Sequence, residues 1–104
     1  MQVETLVALG EPNRLRIVEL LKQGPCSVGE IADRLSLRQP QASKHLRVLS
    51  DARLLKVEAV SRRRIYRLNE DPFSDMAEWL TSFEGAWQSR LDALGTFLDT
   101  DGDR

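Results

Sequence analysis

The chain has 104 residues, 41% hydrophobic and 30% charged, with a formal net charge of −1. That length supports one modest core, so residues 1–98 are expected to form a single domain. Glu4 breaks the one N-terminal apolar run, so neither a signal peptide nor a membrane span is expected, and a lone cysteine, Cys26, fits a reducing cytoplasm rather than a disulfide framework.

Val3, Leu6 and Val7 make a short apolar stripe before Gly10, which predicts a first helix ending there. Glu11-Pro12-Asn13-Arg14 opens a second helix, with Pro12 near its first position and an acid at its positive end. Leu15, Ile17, Val18, Leu20 and Leu21 spread apolar surface over a wide arc and mark it as the central core helix. Gly24-Pro25 stops it.

Ser27-Val-Gly-Glu30 reads as a capping box, and Val28, Ile31, Ala32 and Leu35 follow at helical spacing, so a short amphipathic third helix starts there. Ser36 to Arg38 forms a turn. A fourth helix then runs from Gln39 to about Ala52, with Pro40 expected at its first helical position. Ala42, Leu46 and Leu49 form its inward stripe. The opposite side presents Lys44, Arg47 and Val48, flanked by Gln41 and Ser43: the amide, hydroxyl and cationic groups that read base edges and phosphates. Two helices joined by so short a turn have helix-turn-helix geometry.

After Leu54 the period changes to two. Leu55, Val57 and Ala59 alternate with Lys56 and Glu58, and Ile65 to Leu68 forms a second β-rich run, which predicts a hairpin tipped by Arg62, Arg63 and Arg64. Guanidinium groups there can meet phosphates bidentately or enter a minor groove. Pro72 begins the longest helix. Its seam of Phe73, Met76, Leu80, Phe83, Trp87, Leu91, Leu94 and Leu98 holds for seven turns, and Trp79 widens it. That exceeds what a small core can cover, so a homodimer through the first and last helices is expected, with Leu6, Leu80, Phe83, Trp87, Leu91 and Leu94 at the interface. Residues 99–104 are expected to be a disordered acidic tail. The resulting fold class is mainly α: five helices plus a two-stranded wing.

The near-zero net charge conceals a polarity. Residues 34–67 hold ten Lys or Arg against two acids, a local charge of +8, and the remainder carries −9. A basic segment coinciding with the fourth helix and the hairpin points to double-stranded DNA as the partner. No nucleophile–base pair, paired carboxylates beside a His, or phosphate loop can be assembled, so an enzyme is not expected.

Three motifs together resemble the ArsR family of winged-helix repressors: Glu11-Pro-Asn-Arg-Leu-Arg-Ile17, Gln39-Pro-Gln-Ala-Ser-Lys-His-Leu46 and Arg64-Ile-Tyr-Arg-Leu68. The resemblance covers the chain to about Leu98. It implies a homodimer that binds a palindromic operator and represses transcription, with DNA contacts at the positions of Gln39, Gln41, Ser43, Lys44 and Arg47 and the wing arginines on the backbone. His45 is included among the contacts, but it lies beside the inward stripe, where packing or a phosphate suits it better than base readout. Founding members of the family sense metals through a cysteine pair in the third helix, and others through His and Asp in the last. Residues 27–35 contain no cysteine and His45 is the single histidine, so no metal site and no cofactor are expected. Arg53 and Ser61 also stand where the family usually has glycine, which places strain of roughly 1 kcal/mol at Arg53 if it turns left-handed. Two other readings stay open: a winged-helix protein-interaction module that no longer reads DNA, and a thiol-responsive regulator acting through Cys26.

Overall fold

Helix stops, capping residues and tight turns divide the chain into eight elements, seen in a computed structural model that describes the backbone of residues 1–102 and the side chains of residues 1–95. They are α1 (Val3–Leu9), α2 (Pro12–Leu21), β1 (Cys26–Ser27), α3 (Val28–Leu35), α4 (Gln39–Asp51), β2 (Leu55–Val60), β3 (Arg63–Leu68) and α5 (Glu70–Gly102). The chain divides into two compact units, Met1–Phe73 and Ser74–Arg104.

In the first unit, Glu11 accepts the Arg14 N–H at 2.9 Å and opens α2, while the Arg14 side chain donates to the Ala8 carbonyl and closes α1. One residue thereby joins two helices at their shared corner. Ser27 and Glu30 form the expected capping box, with Ser27 Oγ accepting from the Glu30 N–H at 3.2 Å and Glu30 accepting from the Ser27 N–H at 3.1 Å. Ile17, Val18, Leu21, Ile31, Ala32, Ala42, Leu46, Leu49, Leu54 and Leu55 are buried and form the core, in which α1 to α4 pack on one another and on the sheet. Leu15 departs from the expectation. It is 48% exposed, because the buried face of α2 is the narrower stripe of Ile17, Val18 and Leu21.

The sheet has three strands, not the two expected, in the order β1-β3-β2. Cys26 pairs with Tyr66 and Ser27 with Ile65, so the residues just before α3 bind the inner edge of the wing. A two-residue strand is too short to show alternation, so nothing in the sequence period marks it. β2 and β3 pair from Leu55↔Leu68 to Val60↔Arg63, leaving Ser61-Arg62 as a two-residue turn. Arg63 and Arg64 therefore lie on a strand rather than at the tip. At the base of the wing, the Asn69 side chain donates to the Arg53 carbonyl at 2.8 Å and its N–H to Leu54 at 2.9 Å, fastening the end of the hairpin to its beginning.

Helix α4 starts at Gln39, one residue ahead of Pro40, and α5 starts at Glu70, two ahead of Pro72. Proline has no N–H to contribute and is tolerated throughout a first turn, so it marks a helix start only to within a residue or two. Along α5, Trp79 and Phe83 meet edge to face at 5.0 Å, and the Arg90 guanidinium lies over Trp87 at 5.6 Å. Among the described residues no helix is long and apolar enough to cross a membrane. Leu98 and the tail expected at residues 99–104 fall outside the residues whose side chains are described.

The chain makes three reversals at left-handed residues that carry side chains, at Ser36 (φ 56°), at Arg53 (φ 63°) and at the pair Ser61 (φ 48°) and Arg62 (φ 67°). After α4, the Leu54 N–H bonds to the Leu49 carbonyl and the Arg53 N–H to Ser50, a Schellman closure with Arg53 at the position glycine usually takes. Ser61 and Arg62, both at positive φ, make a type I′ turn without the usual Asn-Gly. A Cβ in this conformation costs about 1 to 2 kcal/mol, partly offset in glycine by greater unfolded-state entropy. Arg53→Gly and Ser61→Gly should therefore each raise unfolding stability by roughly 0.5 to 1 kcal/mol. Urea unfolding followed by circular dichroism checks this, and a loss of stability in both variants would contradict the assigned strain.

Candidate nucleic-acid interface

Helix α4 is held by three side chains with no exposure at all, Ala42, Leu46 and Leu49, spaced over two turns of one face. With that face fixed, Gln39, Ser43, Lys44 and Arg47 stand in solvent on the other side. Gln41 is exposed as well, but its side-chain oxygen accepts the Arg38 N–H at 3.3 Å and helps to start the helix. Its amide NH2 remains free to donate. Arg38, exposed immediately before α4, extends the same basic surface, and the sequence signalled it by its place next to Gln39.

His45 takes a different position. It is half-buried, and its Nδ1 lies 3.6 Å from the Glu11 carboxylate that caps α2. It joins α4 to the start of α2 rather than facing outward with Lys44 and Arg47.

The wing brings Arg62, Arg63 and Arg64 beside the first turn of α3, around a cleft of about 430 Å³ that also touches Ser27, Val28 and Gly29. Arg62 and Arg64 project into solvent. Arg63 is 60% exposed at its side chain, yet it donates to Ser27 Oγ at 2.9 Å and to Glu30 Oε1 at 3.3 Å. The partners it finds lie more than thirty residues away in the chain, and no local pattern announces them.

Of the residues expected at a subunit interface, Leu6 is exposed on α1, and Leu80, Phe83, Trp87, Leu91 and Leu94 are exposed along α5, with Trp87 and Leu91 at 58% each. An apolar groove of about 360 Å³ between α1 and the last turn of α4 is walled by Val3, Val7, Val48 and Ala52. Cys26 is buried, its thiol facing the Gly24 carbonyl at 3.7 Å. Burial pushes that thiol above its ordinary range, and Arg34 opposes the shift only in part. Among the described residues no three His, Cys, Asp or Glu side chains converge as a metal site requires.

A family model described as a helix-turn-helix domain matches residues 9–58. The HTH-type transcriptional regulator Rv2034 of Mycobacterium tuberculosis is 38% identical over 96 residues, spanning 92% of this chain and 87% of that protein. This chain belongs to the ArsR family of winged helix-turn-helix transcriptional regulators. The solved structure of an ArsR-like regulator from Rhodococcus sp. RHA1 superposes with a TM-score of 0.75 at 26% identity, covering 88% of this chain and 87% of that one. A homodimeric winged helix-turn-helix DNA-binding domain from Mycobacterium bovis superposes with a TM-score of 0.67 at 28% identity, covering 79% and 77%.

The Glu30 carboxyl is held below the usual carboxylate range, first by the Ser27 N–H, then by the Ser27 side chain, with Arg63 and Arg34 adding to the effect. A group whose folded pKa is depressed contributes stability above its unfolded pKa and loses it as pH falls through the folded value. Acid titration of folding should accordingly be shallower below the ordinary glutamate range in Glu30→Gln than in the wild type. Superimposable acid profiles would show that Glu30 is not stabilised in this way.

Proposed function

We propose that this protein is a dimeric repressor that binds a palindromic operator through α4 and the wing, acts in the cytoplasm, and does so without a metal or other cofactor and without catalysis. The observation that carries the reading is the two-sidedness of α4. One face is anchored by fully buried Ala42, Leu46 and Leu49, and the other offers Gln39, Gln41, Ser43, Lys44 and Arg47 to solvent in the arrangement a major groove accepts. Arg62 and Arg64 supply guanidinium groups for phosphates beside the groove.

Family membership raises the question of a metal effector, and the donor set does not fit one. Helix α3 contains no cysteine, and the single histidine, His45, lies against Glu11. Tetrahedral zinc needs three or four converging ligands. The thiol-responsive alternative requires a thiolate that an oxidant can reach, whereas Cys26 is buried with its thiol pushed up. A protein-interaction module without DNA reading leaves the exposed cations of α4 and the wing without a use.

Lys44→Ala and Arg47→Ala should each weaken operator binding by roughly 1 to 3 kcal/mol while circular dichroism stays unchanged. The operator is obtained first by selecting bound fragments from random DNA. Micromolar zinc, cadmium or arsenite should leave wild-type affinity unaltered. Equal affinities of wild type and variants across a salt titration would remove the DNA assignment, and metal-induced release would remove the effector-free one.

Dimerisation is supported by the exposed apolar stripe of α5 and by the homodimeric state of the Mycobacterium bovis neighbour. Two recognition helices related by a twofold axis reach successive major grooves and add their binding energies. Trp87→Glu places a charge in the middle of that stripe, so sedimentation should show loss of the dimer and operator affinity should fall to the nonspecific level. Ser89→Glu, off the stripe, should do neither. A Trp87→Glu protein that still sediments as a dimer would show that α5 is not the interface.

A further inference from the structure

The three wing arginines do not share one environment. Alternate residues of a strand leave opposite faces, so Arg63 departs on the side of Ile65 while Arg64 departs on the side of Tyr66. Ile65 pairs with Ser27 across the sheet, which brings Arg63 to the start of α3. There its Nη2 donates to Ser27 Oγ and Glu30 Oε1, the two side-chain acceptors that also close the capping box. The groups form one closed set: each acceptor serves one backbone N–H of the capping box and the same guanidinium. Arg62 and Arg64 have no such partners among the described residues.

We propose that Arg63 is a positioning residue whose guanidinium ties the wing to the α3 capping box, so that of the three arginines at residues 62–64 only Arg62 and Arg64 are left for phosphate contacts. The reading rests on the DNA-binding function above. A two-stranded ribbon joined by a two-residue turn twists and bends easily beyond its last contact with the core. Leu55 and Tyr66 are buried at the inner end of the wing, whereas Val57, Ala59 and Val60 are exposed farther out. The Arg63 tether is the one side-chain hydrogen-bond link from that outer part to the helix-turn-helix among the described residues. Both bonds leave the one Nη2 group, whose two N–H donors serve the two acceptors at once. Exposed ion pairs contribute little to global stability, so the effect of this one falls on the orientation of the hairpin rather than on unfolding.

The decisive variant is Glu30→Gln, because Gln at the third helical position keeps the capping acceptor and removes only the charge. By charge alone, deleting an acid near DNA strengthens binding. The tether predicts the opposite sign: operator affinity falls about two- to fivefold in Glu30→Gln. Arg63→Gln should fall by a similar factor with an unchanged salt slope, and the double variant should be no weaker than either single one. Arg62→Gln should instead lower the salt slope by about one. Without DNA, amide exchange across residues 57–64 should quicken in both Glu30→Gln and Arg63→Gln. Tighter binding by Glu30→Gln, a salt slope lowered in Arg63→Gln as in Arg62→Gln, or unchanged amide exchange overturns the tether. If Lys44→Ala leaves binding untouched, the DNA reading has failed instead, and the exchange measurement alone decides the tether.

Discussion

The burial of Ala42, Leu46 and Leu49 against α2 and α3 is the constraint on which the rest of the first unit depends. These side chains lose all contact with water, and rotating α4 by one position would expose both leucines and bury Ser43 and Arg47 or Gln41 and His45 in their place. The outward set of Gln39, Ser43, Lys44 and Arg47 is therefore not adjustable one residue at a time. It is the complement of a packed face, and its rigidity lets side chains meet an outside partner without a large ordering cost.

Around that helix the chain uses short polar links to fix angles between elements. Arg14 holds the end of α1 to the start of α2, Arg16 donates to the Leu35 carbonyl at the end of α3, and Asn69 closes the base of the wing. His45 and Glu11 meet where α4 passes α2. None of these contacts buries much area. Each satisfies a backbone or carboxylate group that a helix end would otherwise leave to water, so orientation is set by hydrogen bonds at the corners and stability by the apolar centre.

Much of this was legible in the sequence because it depends on neighbours a few residues apart. The Ser27–Glu30 capping box, the Ala42-Leu46-Leu49 stripe and the alternation from Leu55 to Ala59 are local patterns, and the helices and hairpin follow from them. What was not legible depends on partners distant in the chain. Strand β1 exists because Cys26 and Ser27 lie beside Tyr66 and Ile65, and two residues carry no period. Arg63 looked equivalent to Arg62 and Arg64 in a run of three, since only the strand register and the position of Glu30 separate them. Leu15 read as core because an apolar arc in sequence does not reveal how much of it the neighbouring helices reach. The departures at Arg53 and Ser61 were visible as missing glycines, and the chain keeps the left-handed turns there regardless.

Those left-handed residues bear on how long such a protein persists in a cell. Each kilocalorie per mole withheld from folding raises the unfolded fraction about fivefold, and the four left-handed side-chain-bearing residues, in three reversals, add their costs. Proteases act on that fraction, so copy number follows the strain in the turns as well as the rate of synthesis. Glycine at such a position would lower the unfolded fraction, so at equal synthesis and proteolysis the folded chain would last longer.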